Sequence, residues 1–205
     1  MRLARAGLPT IAASFLASAA LFLVSRVAAA AIALLFLMSL WFYRDPERAP
    51  EGDGWVSPAD GRVVEVTPDA EDPYAGRTTR IGIFMSGLDV HVNRFPADGT
   101  IEDVRHVPGK KWFAIAPKAS LENERLYIGA NTAQGRTTLV QIAGIMARRI
   151  VNYTKIGNSL ARGERYGMIK LGSRVDIYLP PSVRPVVKIG DRVRAGKSII
   201  GVVDI

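Results

Sequence analysis

From Met1 to Tyr43 the chain carries no acidic residue, and its only charges are Arg2, Arg5 and Arg26. Within that stretch Leu8–Ser25 and Val27–Tyr43 are uncharged runs of 18 and 17 residues. Runs of this kind lie at the short end of the roughly 17–25 residues that cross a bilayer as a helix. One continuous helix through both would be far too long and would bury Arg26. The pattern predicts two short helices reversing near Arg26, a hairpin over residues 1–43 that spans or dips into a membrane. A cleaved signal peptide is the competing reading, because the start is basic and alanine-rich, but a second apolar run directly after the first favours the hairpin. Arg2, Arg5, Arg44 and Arg48 bracket the hairpin, with only Arg26 at its tip. The positive-inside rule then puts both ends, and the domain over residues 44–205, on the cytoplasmic side of the cell membrane.

The rest of the chain reads differently. After the polar linker RDPERAPEGDG (Arg44–Gly54) come short apolar segments punctuated by turn residues. Strands are predicted near Trp55–Val56, Gly61–Val66, Thr78–Phe84, Val90–Arg94, Gly99–Val107, Arg125–Ala130, Thr137–Ile142, Val175–Leu179 and Ile199–Val203. GIMARRIVNYT (Gly144–Thr154) fits a short helix or a buried strand equally well, since periodicity does not separate the two over so short a run. The predicted class is mainly β, a compact barrel-sandwich-like domain following an α-helical membrane hairpin.

Charge and composition narrow the function classes. Once the three anchor arginines are set aside from the 27 basic residues, 24 remain against 19 acidic ones. The excess is mild and scattered, and no nucleic-acid recognition module accompanies it, so no nucleic-acid partner is predicted. Anionic lipid headgroups account for it more economically beside a membrane anchor. With no cysteine and two histidines, thiolate chemistry is excluded and no metal site is predicted.

The two ends of the β-rich part are alike. GWVSPADGRVVEV (Gly54–Val66) resembles the first half of a lipoyl/biotinyl-type barrel-sandwich, and VKIGDRVRAGKSIIGVV (Val187–Val203) its second half. No lysine stands in the hairpin-tip context that carries such a cofactor. The scaffold is shared without the carrier function, and fold alone does not decide function. A non-catalytic, membrane-anchored lipoyl-like module is nevertheless one reading of the chain.

Two stretches suggest chemistry. In MSGLDVHVNRFPADG (Met85–Gly99), Asp89 and His91 are two apart and would share one face of a strand, with Val90 and Val92 on the other. A carboxylate beside an imidazole fixes its tautomer and raises its basicity. Taken alone, such a pair is more often the polar face of an exposed strand. In IKLGSRVDIYLP (Ile169–Pro180), a run of alternating apolar residues is entered through Leu171-Gly172-Ser173. The glycine and serine fit an ordinary turn, or a peptide bond built to be broken. Asp89, His91 and Ser173 could form a hydrolase triad, but there is no G-x-S-x-G elbow, and Ser173 leads into a strand rather than a helix. Gly172 supplies another rationale, since its carbonyl carries no adjacent side-chain bulk and lies within reach of the serine hydroxyl.

RDPER, SPADGRV, LDVHVNR, ENER (Glu122–Arg125) and LGS before an apolar strand, in that order along the chain, together resemble phosphatidylserine decarboxylase in its short bacterial and archaeal-like form. The resemblance runs from Trp41 to the C-terminus. It implies that Ser173 attacks the Gly172 carbonyl in an N-to-O acyl shift, with His91 as general base and Asp89 orienting it. Elimination would release the 1–172 chain and leave a pyruvoyl group, derived from Ser173, capping the 173–205 chain, the two pieces staying together. That cofactor would form a Schiff base with the serine amine of the lipid and accept electrons as carbon dioxide leaves. The implied partners are phosphatidylserine and membrane lipids, and a homo-oligomer stays open.

Two departures from the family pattern stand out. Many members carry Thr after the Gly-Ser pair, where this chain has Arg174. Longer members carry a second histidine after a PGxxF-like loop, proposed to donate the final proton. Here HVPGKKWFAIAPKAS shows Ala116-Pro117-Lys118 at that place and His106 upstream. His91 serving twice, His106 or a lysine are the candidates for the general acid, and His106 reads equally as a surface residue at a strand end. In the same loop, Lys110, Lys111 and Lys118 interleave with Trp112 and Phe113, as an interfacial segment would. Arg148-Arg149 could grip a lipid phosphate, although a solvated pair is the more frequent case.

Overall fold

The computed structural model describes residues 2–22, 24–109, 122–144, 149–170 and 173–203. The chain forms two compact units, Met1–Glu47 and Arg48–Ile205. The division falls four residues beyond the sequence-based boundary. Backbone Asp45 donates to the Arg2 carbonyl (2.8 Å) and Arg2 pairs with Glu47 (3.0 Å), which holds that stretch to the first unit.

Unit one is a pair of helices, α1 (Leu8–Phe22) and α2 (Arg26–Phe42). Ser25 caps α2 by accepting from the Ala28 amide, the ordinary use of serine at a helix start. Arg26 is the first residue of α2, at the reversal where the sequence places it. The helices meet through small residues and one ring pair. The Ser18 hydroxyl donates to the Ala29 carbonyl at 3.1 Å, and Phe15 lies 5.6 Å from Phe36 between ring centroids. Leu16, Leu34, Leu35, Leu37 and Met38 all remain exposed. So much exposed apolar surface on one short pair marks a face for lipid or another apolar partner. The 18 residues Arg5–Phe22 are long and apolar enough to cross a membrane, while α2, with 17, is a shorter apolar helix.

Unit two is mainly β. Among the described residues its strands are β1 (Trp55–Val56), β2 (Gly61–Asp72), β3 (Gly76–Met85), β4 (Val92–Arg94), β5 (Gly99–Val107), β6 (Arg125–Thr132), β7 (Gly135–Ala143), β8 (Ile150–Asn152), β9 (Ser159–Leu160), β10 (Arg165–Ile169), β11 (Ser173–Leu179), β12 (Val183–Pro185), β13 (Arg192–Val193) and β14 (Ile199–Val203). Eight form one sheet, ordered β13-β2-β3-β11-β7-β6-β5-β9. Two three-stranded sheets, β1-β14-β12 and β4-β10-β8, complete the unit.

Strand β11 occupies the middle of the large sheet. It pairs antiparallel with β3 from Ser173↔Met85 to Leu179↔Thr79, and with β7 from Ser173↔Ala143 to Tyr178↔Thr138. Because successive side chains point to opposite faces, Ser173, Val175, Ile177 and Leu179 share the core side, and all four are fully buried. Their cross-strand partners Met85, Ile83 and Ile81 belong to the same apolar cluster.

The similar ends of the domain come together. Trp55 pairs with Gly201 and Val56 with Ile199, while Gly61 and Arg62 on β2 pair with Val193 and Arg192 on β13. Arg48 fastens this junction. Its guanidinium grips both oxygens of Asp60 and donates to the Ala195 carbonyl (2.9 Å), and the Ala195 amide donates to Asp60 (2.8 Å). Arg48 and SPADGR, far apart from 187–203 in sequence, therefore meet it in space.

Several strands escape a sequence reading. β9, β12 and β13 are two or three residues long, and β10 is interrupted by Gly167, so neither shows a readable alternation. The Gly144–Thr154 ambiguity resolves to strand over Ile150–Asn152, with residues 145–148 outside the described ones. More consequentially, β11 begins at Ser173 rather than Val175. Position 173 is a ladder residue, not part of a turn.

Gly61 gives the junction a sharp test. Its φ is +143°, and a Cβ there would lie 2.0 Å from the Phe84 carbonyl oxygen. Gly61→Ala is expected to cost about 3 kcal/mol or more, read as a lowered denaturant midpoint of the purified protein with an unchanged slope.

Candidate functional site

Ser173 is a hydroxyl-bearing residue in a core position. Its side chain is fully buried, and its Oγ has no hydrogen-bond partner among the described residues. Leaving a buried hydroxyl unsatisfied costs on the order of 1–3 kcal/mol, so such a group calls for a functional explanation. The preceding residues Leu171 and Gly172 lie outside the described ones.

His91 lies just before β4 and is also fully buried. Its Nδ1 sits 2.9 Å from the backbone carbonyl of Asp89. A carbonyl oxygen only accepts, so Nδ1 carries the proton and Nε2 is the basic nitrogen of the neutral ring. This differs from the expected strand geometry. Ser86–Asp89 form a turn, with the Asp89 amide donating to the Ser86 carbonyl (3.0 Å), and Val90 and His91 lie outside any strand, so Asp89 and His91 do not share a strand face. The Asp89 carboxylate instead accepts from the Ser86 amide (2.8 Å) and hydroxyl (2.6 Å). The aspartate closes the turn with its side chain and orients the imidazole with its main chain.

The ladder brings His91 and Ser173 to the same end of the domain. The His91 carbonyl accepts from the Ile169 amide (3.3 Å) at the end of β10, and only residues 170–172 separate β10 from Ser173. Two residues beyond His91, the Asn93 side chain reaches the sulfur of Met85, the direct cross-strand partner of Ser173 (3.7 Å).

Asn93 and Gln141 are site residues that the sequence did not single out. Both are fully buried, and Gln141 Nε2 donates to Asn93 Oδ1 at 2.7 Å. Gln141 pairs with Val175 on β11, so it is the diagonal neighbour of Ser173 on the same face. Diagonal pairs of this kind stand about 7–8 Å apart, within reach of a long side chain. Gln141 Oε1 is buried without a hydrogen-bond partner among the described residues. A Cβ on Gly167 would lie 2.7 Å from the Gln141 amide nitrogen, so the bare glycine in β10 is what lets this amide lie against it. The only sequence signal was a polar residue inside an apolar run, TTLVQIAG.

Beside the His91 turn a cleft of about 320 Å³ is lined by Glu51, Asp60, Asp89, Arg192, Arg194 and Ser198. It offers both carboxylates and guanidinium groups. A larger cavity of about 600 Å³ lies at the opposite edge of the sheet, around Asp98, Asn131, Ser159 and Glu164, away from Ser173.

His106 is not gathered into this cluster. It is exposed on β5 and pairs with Glu124 at 3.0 Å. The ladder runs His106↔Leu126↔Gln141↔Val175, which at ~4.8 Å a strand puts it about 14 Å from β11 along the sheet. Lys110, Lys111, Trp112, Phe113, Ala116, Pro117, Lys118 and Arg148 lie outside the described residues. Among the described residues no cluster of His, Asp or Glu is arranged to hold a metal ion.

A family model described as phosphatidylserine decarboxylase matches residues 35–201. The phosphatidylserine decarboxylase proenzyme of Pelobacter propionicus is 46% identical over 175 residues, covering 84% of this chain and 80% of that protein. The proenzyme of the same name from Ralstonia pickettii is 49% identical over 175 residues, covering 83% and 81%. That of Cupriavidus pinatubonensis is 45% identical over 211 residues, covering 98% and 95%, and so includes the apolar N-terminus.

The buried amide pair can be tested apart from any activity. Asn93→Leu should destabilise the protein by about 1–3 kcal/mol by stripping Gln141 of its acceptor. Adding Gln141→Leu should recover part of that loss, a favourable coupling visible in a double-mutant cycle of unfolding free energies.

Proposed function

The chain belongs to the phosphatidylserine decarboxylase family, and we propose that it makes itself active by cutting before Ser173 and then converts phosphatidylserine to phosphatidylethanolamine. One observation carries the reading: a fully buried serine hydroxyl, with no hydrogen-bond partner among the described residues, at the first position of the central strand, directly after Gly172 in the sequence. The name proenzyme borne by the relatives fits a chain that must be cut to work. The carrier-module alternative has no such support.

In the proposed self-processing, Nε2 of His91 takes the Ser173 hydroxyl proton, and the oxygen adds to the Gly172 carbonyl carbon. The amide C–N bond breaks, giving an ester and a free amine at residue 173. Loss of the α-proton expels the carboxylate of the 1–172 chain and leaves a dehydroalanine. Water then enters, ammonia leaves, and a pyruvoyl group caps the 173–205 chain. A ketone of this kind supplies an electrophile for the lipid amine and a sink for the electron pair released with carbon dioxide.

The chain's own residues do the rest. Burial of position 173 limits competition from bulk water with the Ser173 hydroxyl for the Gly172 carbonyl. The Asp89 carbonyl holds His91 in the tautomer whose Nε2 is basic, and we assign the later proton donation to the same ring rather than to distant His106. The cleft between Asp89 and Arg192–Arg194 matches a headgroup carrying ammonium, carboxylate and phosphate. The apolar helices tether the chain to the membrane where that lipid resides, with the β unit on the cytoplasmic side.

The tests follow from the roles. Wild-type protein should run as two chains that co-purify at moderate salt and part only in denaturant, and hydroxylamine should modify the short chain alone. Ser173→Ala should stay whole and inactive; normal processing of that variant would remove Ser173 from its role. His91→Ala should slow processing by at least about 10²-fold, followed as the time course of cleavage on denaturing gels. Asp89→Asn should slow it less, because the orienting carbonyl is main-chain and survives the substitution.

A further inference from the structure

The far face of β11 carries a feature that the self-cleavage chemistry does not use. Arg174, whose side chain points away from Ser173, is 2% exposed. Its Nε donates to Asp176 on its own strand, and its Nη2 donates to Glu65 on β2 at 2.5 Å. To reach Glu65 it must cross β3. The register aligns Glu65, Gly82 and Asp176 in one row across the three strands. A Cβ on Gly82 would lie 2.3 Å from Arg174 Nη2 and 2.7 Å from Cζ. The guanidinium rests on a bare stretch of backbone, between two carboxylates. Arg80, two residues along β3 on the same face, contacts the other oxygen of Glu65.

The arrangement is costly as a source of stability. Burial pushes the Asp176 carboxyl up from its usual range even against the pull of Arg174. A buried pair of this sort does not repay its desolvation by attraction alone. Burial would raise Glu65 as well, but bonds from Arg174 and Thr67 and the charges of Arg174 and Arg80 hold it down at about 2. Glu65, the far anchor, therefore keeps its charge throughout the neutral range.

Its place in the strand gives it a use. Resting on the self-cleavage reading, we propose that Arg174 is a positioning residue that holds the newly made end of the short chain in register after the backbone is cut. Before cleavage the strand is held at its start by the covalent chain. Afterwards residue 173 has lost its amide nitrogen as ammonia, so it can donate nothing to the ladder. A cut strand end frays, with opening free energies near zero, yet a misplacement of 1 Å at a reacting centre can cost about 10²-fold in rate. Arg174 is the first residue with an intact amide, and its side chain ties that end to β2 across β3.

The experiment compares cut and uncut protein. Glu65→Gln removes the far anchor while keeping its shape, and Gly82→Ala displaces the guanidinium while leaving every charge present. In the mature two-chain protein, both should raise hydrogen–deuterium exchange of amides 174–177 at least about tenfold and lower kcat per cleaved chain by a similar factor, with KM little changed. In a Ser173→Ala background, where the chain stays whole, the same substitutions should leave that exchange unchanged. Arg77→Gln, which breaks the exposed pair with Asp69, should do nothing in either form. Wild-type exchange and turnover in both variants would overturn the strap alone. Equal loosening in the uncut background would also overturn it, by making the network merely structural. A wild-type chain that never divides would overturn the self-cleavage reading and this inference together.

Discussion

Strand β11 is hydrogen-bonded to β3 along all seven of its residues and to β7 along six, and the rest of the β unit is arranged around that double ladder. A strand paired on both sides and packed on its inner face keeps its place as a whole without the peptide bond before it, and only its cut end needs a further hold. That is the property a chain needs if it is to be cut at a strand start without coming apart. The same ladder sets side-chain direction. Ser173 faces the core and Arg174 faces away, so one position serves the proposed chemistry and the next serves the hold. The closing strands extend the logic, since β12, β13 and β14 all belong to the 173–205 segment and all pair, β13 and β14 with strands from residues 55–72.

Around Ser173 the core departs from apolar packing. His91, Asn93, Gln141 and Ser173 are fully buried beside Met85, Val175 and Ile169. Polar groups in such surroundings interact strongly, because the local dielectric is low, and each unsatisfied atom is costly. The aspartate shows how a short motif can serve more than one purpose. Its carboxylate closes the turn on Ser86 and its carbonyl fixes the imidazole, so the D-x-H pattern works through main chain and side chain at once. A surface reading of that motif would have been natural, and it is the burial of His91 that sets it aside.

The N-terminal helices answer a different constraint. They bury little of their apolar surface within their own unit, and small residues such as Ala29 and Ser18 let them approach each other. A lipid substrate gives that surface a purpose, since an enzyme acting on a membrane component works best where its substrate is concentrated.

Much of this was legible in the residues themselves. The apolar runs, the strands at Trp55–Val56, Gly99–Val107 and Ile199–Val203, and the family resemblance all follow from local patterns, because hydrophobic periodicity and turn chemistry are local properties. Ser173 and His91 were visible as motif residues. What only the tertiary structure decided depends on which strands become neighbours. Asn93 and Gln141 stand 48 residues apart, Arg174 and Glu65 stand 109 apart, and Arg48 meets Ala195 across 147. No local pattern encodes those pairings; the antiparallel register creates them. The same holds for Ser173 as a ladder residue. A strand's beginning is set by the partners on either side of it, and both partners of β11 lie elsewhere in the sequence.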